Sequence, residues 1–226
     1  ATTITATLSA KSALHVTVTL VMSGTESADF TLPLTLTIPA GSLGTVVTLA
    51  TIDDTLYEND ETVVIDIDTV TNGTEKNGQQ RETVTILNND PPPTATLSVG
   101  SVLINEDAGT TTTAVTATLS TLSGLPVTVT LSKGGTAIDN TDYNLESTIL
   151  VPAGTNSGFT LLSAKGDFLD EFDETVLVSI SALTNGSNGS VEQTVTIIDD
   201  DPLPVVSLTV GSPTLNEDAG SSTSVT

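Results

Sequence analysis

Apolar and polar residues alternate along most of the chain. Val16, Val18 and Leu20 alternate with threonines, and Leu32, Leu34, Leu36 and Ile38 alternate with Thr31, Pro33, Thr35 and Thr37. Val84 and Ile86, Val127, Val129 and Leu131, and Val195 and Ile197 follow the same rule. A period of two, rich in β-branched residues, marks strands with one buried face. No stretch carries a helical period. Turn-forming groups punctuate the strands: Pro39-Ala40-Gly41, Asn72-Gly73, Gly134-Gly135, Pro152-Ala153-Gly154 and Asn185-Gly186. Between positions 94 and 198 the pattern predicts about seven strands, near 94–104, 112–119, 126–132, 146–151, 157–164, 174–183 and 191–198. Seven short strands in roughly 110 residues predict an all-β, immunoglobulin-like sandwich.

The pattern repeats. Ile104-Asn105-Glu106-Asp107-Ala108-Gly109 returns as Leu215-Asn216-Glu217-Asp218-Ala219-Gly220, an offset of 111 positions (105 to 216). Val16–Leu20 matches Val127–Leu131 and Asn88–Pro91 matches Asp199–Pro202 at that offset. Pro39-Ala40-Gly41 matches Pro152-Ala153-Gly154, and Asp60-Glu61-Thr62 matches Asp173-Glu174-Thr175, at 113 (39 to 152). Two-residue length changes therefore fall in loops of one repeated unit. The predicted organisation is a repeat at 1–90 lacking its first strand, a complete repeat at 91–201, and the first strand of a further repeat at 202–226. This phase fits a window of a longer repetitive protein. It also fits a subunit whose C-terminal strand completes the next copy by strand addition.

Composition narrows the chemistry. Aromatic residues are 3% of the 226 and Trp and Cys are absent, so the cores are aliphatic and no disulfide braces them. No apolar run is long enough to span a bilayer as a helix. Five basic residues face 28 acidic ones, a formal net charge of −23, which argues against nucleic acid or anionic membrane as partner.

The acids are concentrated. Ile52 to Glu61 holds five of them in ten positions, and Lys165 to Glu174 is its counterpart. Each lies between strands at one end of the predicted sandwich, where Asp199-Asp200-Asp201 and Glu106 also end strands. Gathered carboxylates repel unless a cation neutralises them. Oxygen donors without His or Cys select calcium or magnesium, and the irregular spacing and high ligand count favour Ca²⁺.

The order of motifs resembles the Calx-β family. It runs from Asn105–Gly109 through Gly135-Thr136-Ala137, Asp142-Tyr143 and Val151–Gly154 to the acidic loop ending Asp173-Glu174-Thr175. That family is known from regulatory domains of sodium–calcium exchangers and from repeat arrays of large bacterial surface and secreted proteins. The resemblance implies calcium ligands at Glu106, Asp142, Asp167, Glu171, Glu174, Asp199, Asp200 and Asp201. In the first unit it implies Asp29, Asp53, Asp54, Glu58, Glu61 and Asp90, with Asn88 and Asn89; Glu217 repeats Glu106. Gly166 stands where the first unit has Asp53, and Asn88 and Asn89 replace acids. Affinity of about 10⁻⁵ to 10⁻³ M is therefore expected, as in extracellular modules.

Other residues have plainer readings. His15 starts a strand at the surface. Tyr57 and Phe168, like Phe30 and Tyr143, are expected to anchor the small cores. The Asp60-Glu61 and Asp173-Glu174 pairs could serve a glycoside hydrolase but recur beside no predicted cleft, so no enzyme activity is expected. Asn72, Asn185 and Asn188 stand in glycosylation sequons, for which tight turns suffice. The expected role is a calcium-stiffened stalk or fibre at a bacterial cell surface, with neighbouring repeats, or other copies by strand exchange, as partners. Alternatives are an adhesin module for a surface glycan or host protein, and a calcium-sensing module of a transporter.

Overall fold

The computed structural model describes residues 1–24, 29–77, 80–106, 111–217, 220 and 222–225. Of the repeated Asn-Glu-Asp-Ala-Gly turns, Asp107–Gly109 and Asp218–Ala219 lie outside the described residues. All helical or strand structure among the described residues is strand, and the protein is an all-β sandwich assembly.

The first sandwich comprises β1 (Thr2–Thr7), β2 (Val16–Gly24), β3 (Phe30–Thr31), β4 (Thr35–Ile38), β5 (Gly44–Thr51), β6 (Glu61–Thr71) and β7 (Arg81–Ile86). Its sheets run β1-β5-β3 and β4-β2-β6-β7. The second comprises β8 (Thr94–Val99), β9 (Leu103–Asn105), β10 (Thr112–Leu119), β11 (Val127–Gly135), β12 (Tyr143–Leu145) and β13 (Thr148–Val151). It continues with β14 (Ser157–Ala164), β15 (Glu174–Leu183), β16 (Ser187–Asn188) and β17 (Gln193–Ile198). Its sheets run β12-β14-β10-β8-β16 and β13-β11-β15-β17-β9.

Alternation puts Val127, Val129 and Leu131 inward on β11, and Val16, Val18 and Leu20 inward on β2. Together with Val115, Ile149, Leu162, Val176, Val195 and Ile197 the former set fills one continuous aliphatic core. Each such side chain contributes about 1.5–3 kcal/mol by leaving water. A second, smaller core gathers Val18, Leu20, Phe30, Leu36, Leu49, Val63 and Ile65.

Several details differ from the sequence pattern. The strand expected over 94–104 divides at Gly100: β8 pairs with β10 in one sheet, while β9 pairs in parallel with β17 in the other. The crossing is pinned by the Gly100 N–H on Ala114 O (2.9 Å) and the Ser101 N–H on Thr113 Oγ1 (2.7 Å). The strand expected over 146–151 begins at Thr148, and β12 joins the opposite sheet. Pro33 offers no N–H, so pairing of β4 begins only at Thr35 and Leu34 is half exposed. Phe30 and Tyr143 are buried as expected, but Phe168 is 89% exposed and anchors no core. Counted through the loop, Tyr57 matches Asp170 rather than Phe168, and it packs against the second sandwich.

The repeat extends to irregularities. The β2–β6 ladder slips between Thr19 and Leu20, and the β11–β15 ladder slips at the matching Thr130 and Leu131. Gly24 and Gly135 end matching strands at φ +109° and +108°. A Cβ at Gly135 would lie 2.0 Å from Thr175 O, which already accepts the N–H groups of Thr136 (3.0 Å) and Ala137 (3.1 Å). This turn aims the chain toward Asp142. Gly135→Ala therefore destabilises the second sandwich by about 3 kcal/mol or more. Chemical unfolding should show that transition moved and the first sandwich's unmoved; two unmoved transitions would disprove the close approach.

Candidate metal centres

Strand polarity gathers the acids. β9 and β17 are parallel, so Glu106 and Asp199 leave the sheet at the same edge, and the Glu106 N–H bonds Ile198 O at 2.9 Å. Antiparallel β15 begins there, with Glu174 opposite Ile197. The loop carrying Asp167 and Glu171 spans from the end of β14 to that start, and Tyr143 pairs with Ala164 at the end of β14, which brings in Asp142. The first sandwich repeats this arrangement: Glu61 opposite Ile86, Phe30 opposite Thr51, and Asp29 O accepting the Ile52 N–H at 2.8 Å.

In the first sandwich, carboxylate oxygens of Asp29, Asp54 and Glu58 lie within 4.8 Å of one another. With Glu61, Asn88, Asn89 and Asp90 they line a cleft of about 50 Å³, room for an ion with little water. Burial pushes Glu58 above the usual carboxylate range, reinforced by Asp54, Asp29 and Asp90. Burial also raises Glu61, with Asp29 and Glu58 adding repulsion and a hydrogen bond to Asp29. Asp53 is not part of the group: it faces Asn89, whose Nδ2 donates to its Oδ1 at 3.1 Å. Asp54 is oriented by the Leu56 N–H on its Oδ1 at 2.7 Å.

In the second sandwich Glu106 is 8% exposed, and the charged groups acting on it among the described residues are acidic. Burial, then Asp167, Glu171, Asp199 and Asp201, push it up to about 7. Asp199 Oδ1 is buried without a hydrogen-bond partner. Burial and a hydrogen bond to Asp142 raise Glu174, with Asp142 and Glu171 repelling it. Asp201 is raised by burial, then by Asp199, Asp200, Asp167 and Asp170. Asp200 is exposed; it repels Asp201 and is not among the carboxylates that push Glu106 up. Glu217 is exposed on the C-terminal segment and joins neither group.

No family model and no curated protein matches the chain. Among solved structures it is similar to CBD12 from CALX1.2, at 15% identity and a TM-score of 0.38, over 87% of this chain and 92% of that one. It is also similar to calcium binding domain CBD12 of CALX1.1, at 14% and 0.37, over 87% and 92%. The apo-form Calx CBD1 domain gives 19% and 0.38, over 47% of this chain and 98% of that one. These scores are too low to assign the chain to that family or to its function.

The residues fit a hard cation on their own chemistry. Both groups offer only carboxylate and amide oxygens. The ion pairs among the described residues, Arg81–Asp66 at 3.5 Å and Lys133–Asp139 at 2.8 Å, lie elsewhere. The Lys165 ammonium, at the start of the acidic loop, donates to Asn140 O. An orphaned buried oxygen on Asp199 and a buried Glu106 crowded by like charges are what a divalent ion would resolve.

Sequence reasoning read Asp60 and Asp173 only as members of recurring acid pairs and missed that they set the loops. The Asn88 N–H bonds Asp60 Oδ1 at 3.0 Å and the Asp199 N–H bonds Asp173 Oδ1 at 3.2 Å. Asn88 Oδ1 in turn accepts the Glu58 N–H at 3.3 Å. The recurrence of Asp60 and Asp173 at matching positions was the available signal.

Proposed function

We propose that the chain is a calcium-binding structural repeat of an extracellular, bacterial cell-surface protein, and that the ion in the first sandwich also fixes the joint to the second. Glu58 carries this reading. Its carboxylate belongs to the Asp29–Asp54–Glu58 group, and it also lies against the second sandwich, where a Cβ on Gly124 would sit 2.4 Å from its Oε1. The adjacent Tyr57 O accepts the Gly124 N–H at 3.0 Å and the Ser123 Oγ at 3.4 Å. Asp29, Asp54 and Glu58 would hold the ion, whose contribution is to neutralise their charge. Asp90-Pro91-Pro92-Pro93 supplies a short, stiff connection between the units. Ligation then limits the freedom of the loop that docks on Ser123 and Gly124, and a string of such joints makes a stalk.

Joint and site should therefore be coupled. Gly124→Ala pushes the Glu58 side chain aside and weakens calcium binding in the first sandwich by about tenfold, or 1.4 kcal/mol. Binding in the second sandwich stays unchanged. Calorimetric titration reads both. Equal affinities in parent and variant would separate the site from the joint and remove this reading.

A further inference from the structure

The repeat makes each sandwich a control for the other. Matching positions share a framework: Phe30 faces Thr51 as Tyr143 faces Ala164, and the Leu20 N–H bonds Leu34 O at 2.8 Å as the Leu131 N–H bonds Ser147 O at 2.8 Å. Within that common register, one edge of the second sandwich has different chemistry. Lys133 and Lys165 stand where the first has Met22 and Ile52. Asn144, Glu146 and Ser147 replace Thr31, Pro33 and Leu34, and Phe159 and Leu161 replace Val46 and Thr48. Seven residues (136–142) join Gly135 to Tyr143 where five (25–29) join Gly24 to Phe30, an insertion of two.

These changes meet in one place. The longer loop carries Asp139 and Asn140, and the two lysines hold them. Lys133 Nζ donates to Asp139 Oδ2 at 2.8 Å and also to Leu145 O, and Lys165 Nζ donates to Asn140 O. The turn is set by the Asn140 N–H on Tyr143 O (2.8 Å) and the Thr141 N–H on Ile138 O (3.1 Å), with Asn140 at φ +68°, a conformation asparagine tolerates. So fixed, the loop forms one wall of a groove of about 820 Å³, within the range of small-molecule sites, roughly 300–1,000 Å³. Asn144 of β12, Glu146 and Ser147 beyond it, and Leu161 and Ser163 of β14 complete the lining. Asn144 lies opposite Ser163, and alternation along β14 puts Leu161 and then Phe159 on the same outer face. Leu161 is 49% and Phe159 67% exposed, so an apolar strip continues from the groove.

The chemistry of the groove selects its occupant. Among the described residues no hydrogen bond or ion pair engages the side chains of Asn140, Asn144 or Glu146. The amides donate and accept, the Glu146 carboxylate accepts, and the one ammonium in the groove is already matched by Asp139. Such a set suits the adjacent hydroxyls of a sugar ring, whose C–H face packs on apolar side chains. Sulfate or uronate groups would meet Glu146 without a free cation, on a chain of net charge −23. A peptide adding to the edge of β12 is disfavoured, because β12 has three residues and Leu145 O is taken by Lys133.

We propose that this groove binds a neutral glycan, with Phe159 and Leu161 against the ring face and Asn144 and Glu146 on its hydroxyls. The first sandwich, with Met22, Thr31, Pro33 and Thr48 at the matching positions, does not carry these groups. The glycan site does not rest on the calcium reading.

The probes are neutral β-glucan, mannan and galactan oligosaccharides, arrayed beside heparin and alginate as anionic counterparts. The full chain should bind at least one of the neutral set and neither anionic one. Titrating that oligosaccharide should shift the NMR amide signals of Asn144, Leu161 and Ser163 and leave those of Thr31, Thr48 and Ala50, their counterparts, in place. Phe159→Ala and Asn144→Ala should each weaken binding by roughly tenfold, and both residues are exposed, so the unfolding transitions stay where they are. Phe159→Tyr should retain binding, as should Val46→Ala at the matching position of the first sandwich. No binding across the neutral set, binding of heparin or alginate instead, or neutral binding that survives Phe159→Ala with Asn144→Ala would overturn the proposal. So would an extended peptide that shifts the β12 amides where no glycan does.

Discussion

Calcium at about 10 mM raises the unfolding midpoint of both sandwiches by roughly 10 °C over EGTA. With a dissociation constant near 10⁻⁴ M, that concentration is about 100-fold in excess and stabilises each loaded unit by about 2.7 kcal/mol. For units of this size each kcal/mol moves the midpoint by several degrees. The effect arises because apo folding must bring Asp29, Asp54 and Glu58 together, and Glu106 among four acids, without a compensating cation. Differential scanning calorimetry in calcium, magnesium and EGTA measures it. Magnesium, which demands tighter geometry, should give the smaller shift. Superimposable calcium and EGTA traces would remove the ion from the account.

Glu106→Gln reverses the usual sign of a ligand-site mutation in the apo protein. Glu106 titrates at about 7 in the folded state, against an ordinary 4.5. Between those values the folded state holds a proton that the unfolded chain lacks, so stability rises as pH falls from above 7 toward 4.5. The penalty of the charged form is fully present above pH 7. At pH 8 the amide removes that charge from among Asp167, Glu171, Asp199 and Asp201, stabilising the apo second sandwich by about 2 kcal/mol and flattening its pH dependence between 5 and 8. The same change removes most of that sandwich's calcium response. In the parent, calcium affinity falls by up to tenfold per pH unit below 7, because the ion must displace the Glu106 proton. Urea titrations at several pH values, with and without calcium, read all of this. An apo variant less stable than the parent at pH 8 would show that the neighbouring carboxylates do not strain Glu106.

Much of the fold was written in local chemistry. Alternation on β2, β11 and β17 named the strands, and the 111-residue repeat carried down to matched bulges at Thr19 and Thr130. What alternation could not say is where a strand changes sheets. Val99 to Leu103 reads as one run, yet Gly100 and Ser101 hand the chain from one sheet to the other. The acidic edge was legible for a related reason: strand ends, once ordered, put 29, 54, 58 and 61 together, and 106, 167, 171 and 199 together. Choosing between adjacent acids was not possible from sequence. Asp53 and Asp54 differ only in which one the Leu56 N–H captures and which one meets Asn89. The joint was equally hidden, since Glu58 and Gly124 are far apart in the chain and nothing in either segment marks the contact. Phe168 misled because aromatic residues usually anchor cores, and its loop instead turns it outward.

The most direct measurement is a crystal structure of the 226-residue chain grown in tens of millimolar calcium, with anomalous data to identify the ion. The account requires calcium about 2.4 Å from carboxylate oxygens of Asp29, Asp54 and Glu58, and a second ion contacting Glu106 and Asp199 Oδ1. Water alone in both clefts, with Glu58 turned away from its two partners and Asp199 Oδ1 hydrogen-bonded to protein, would contradict it.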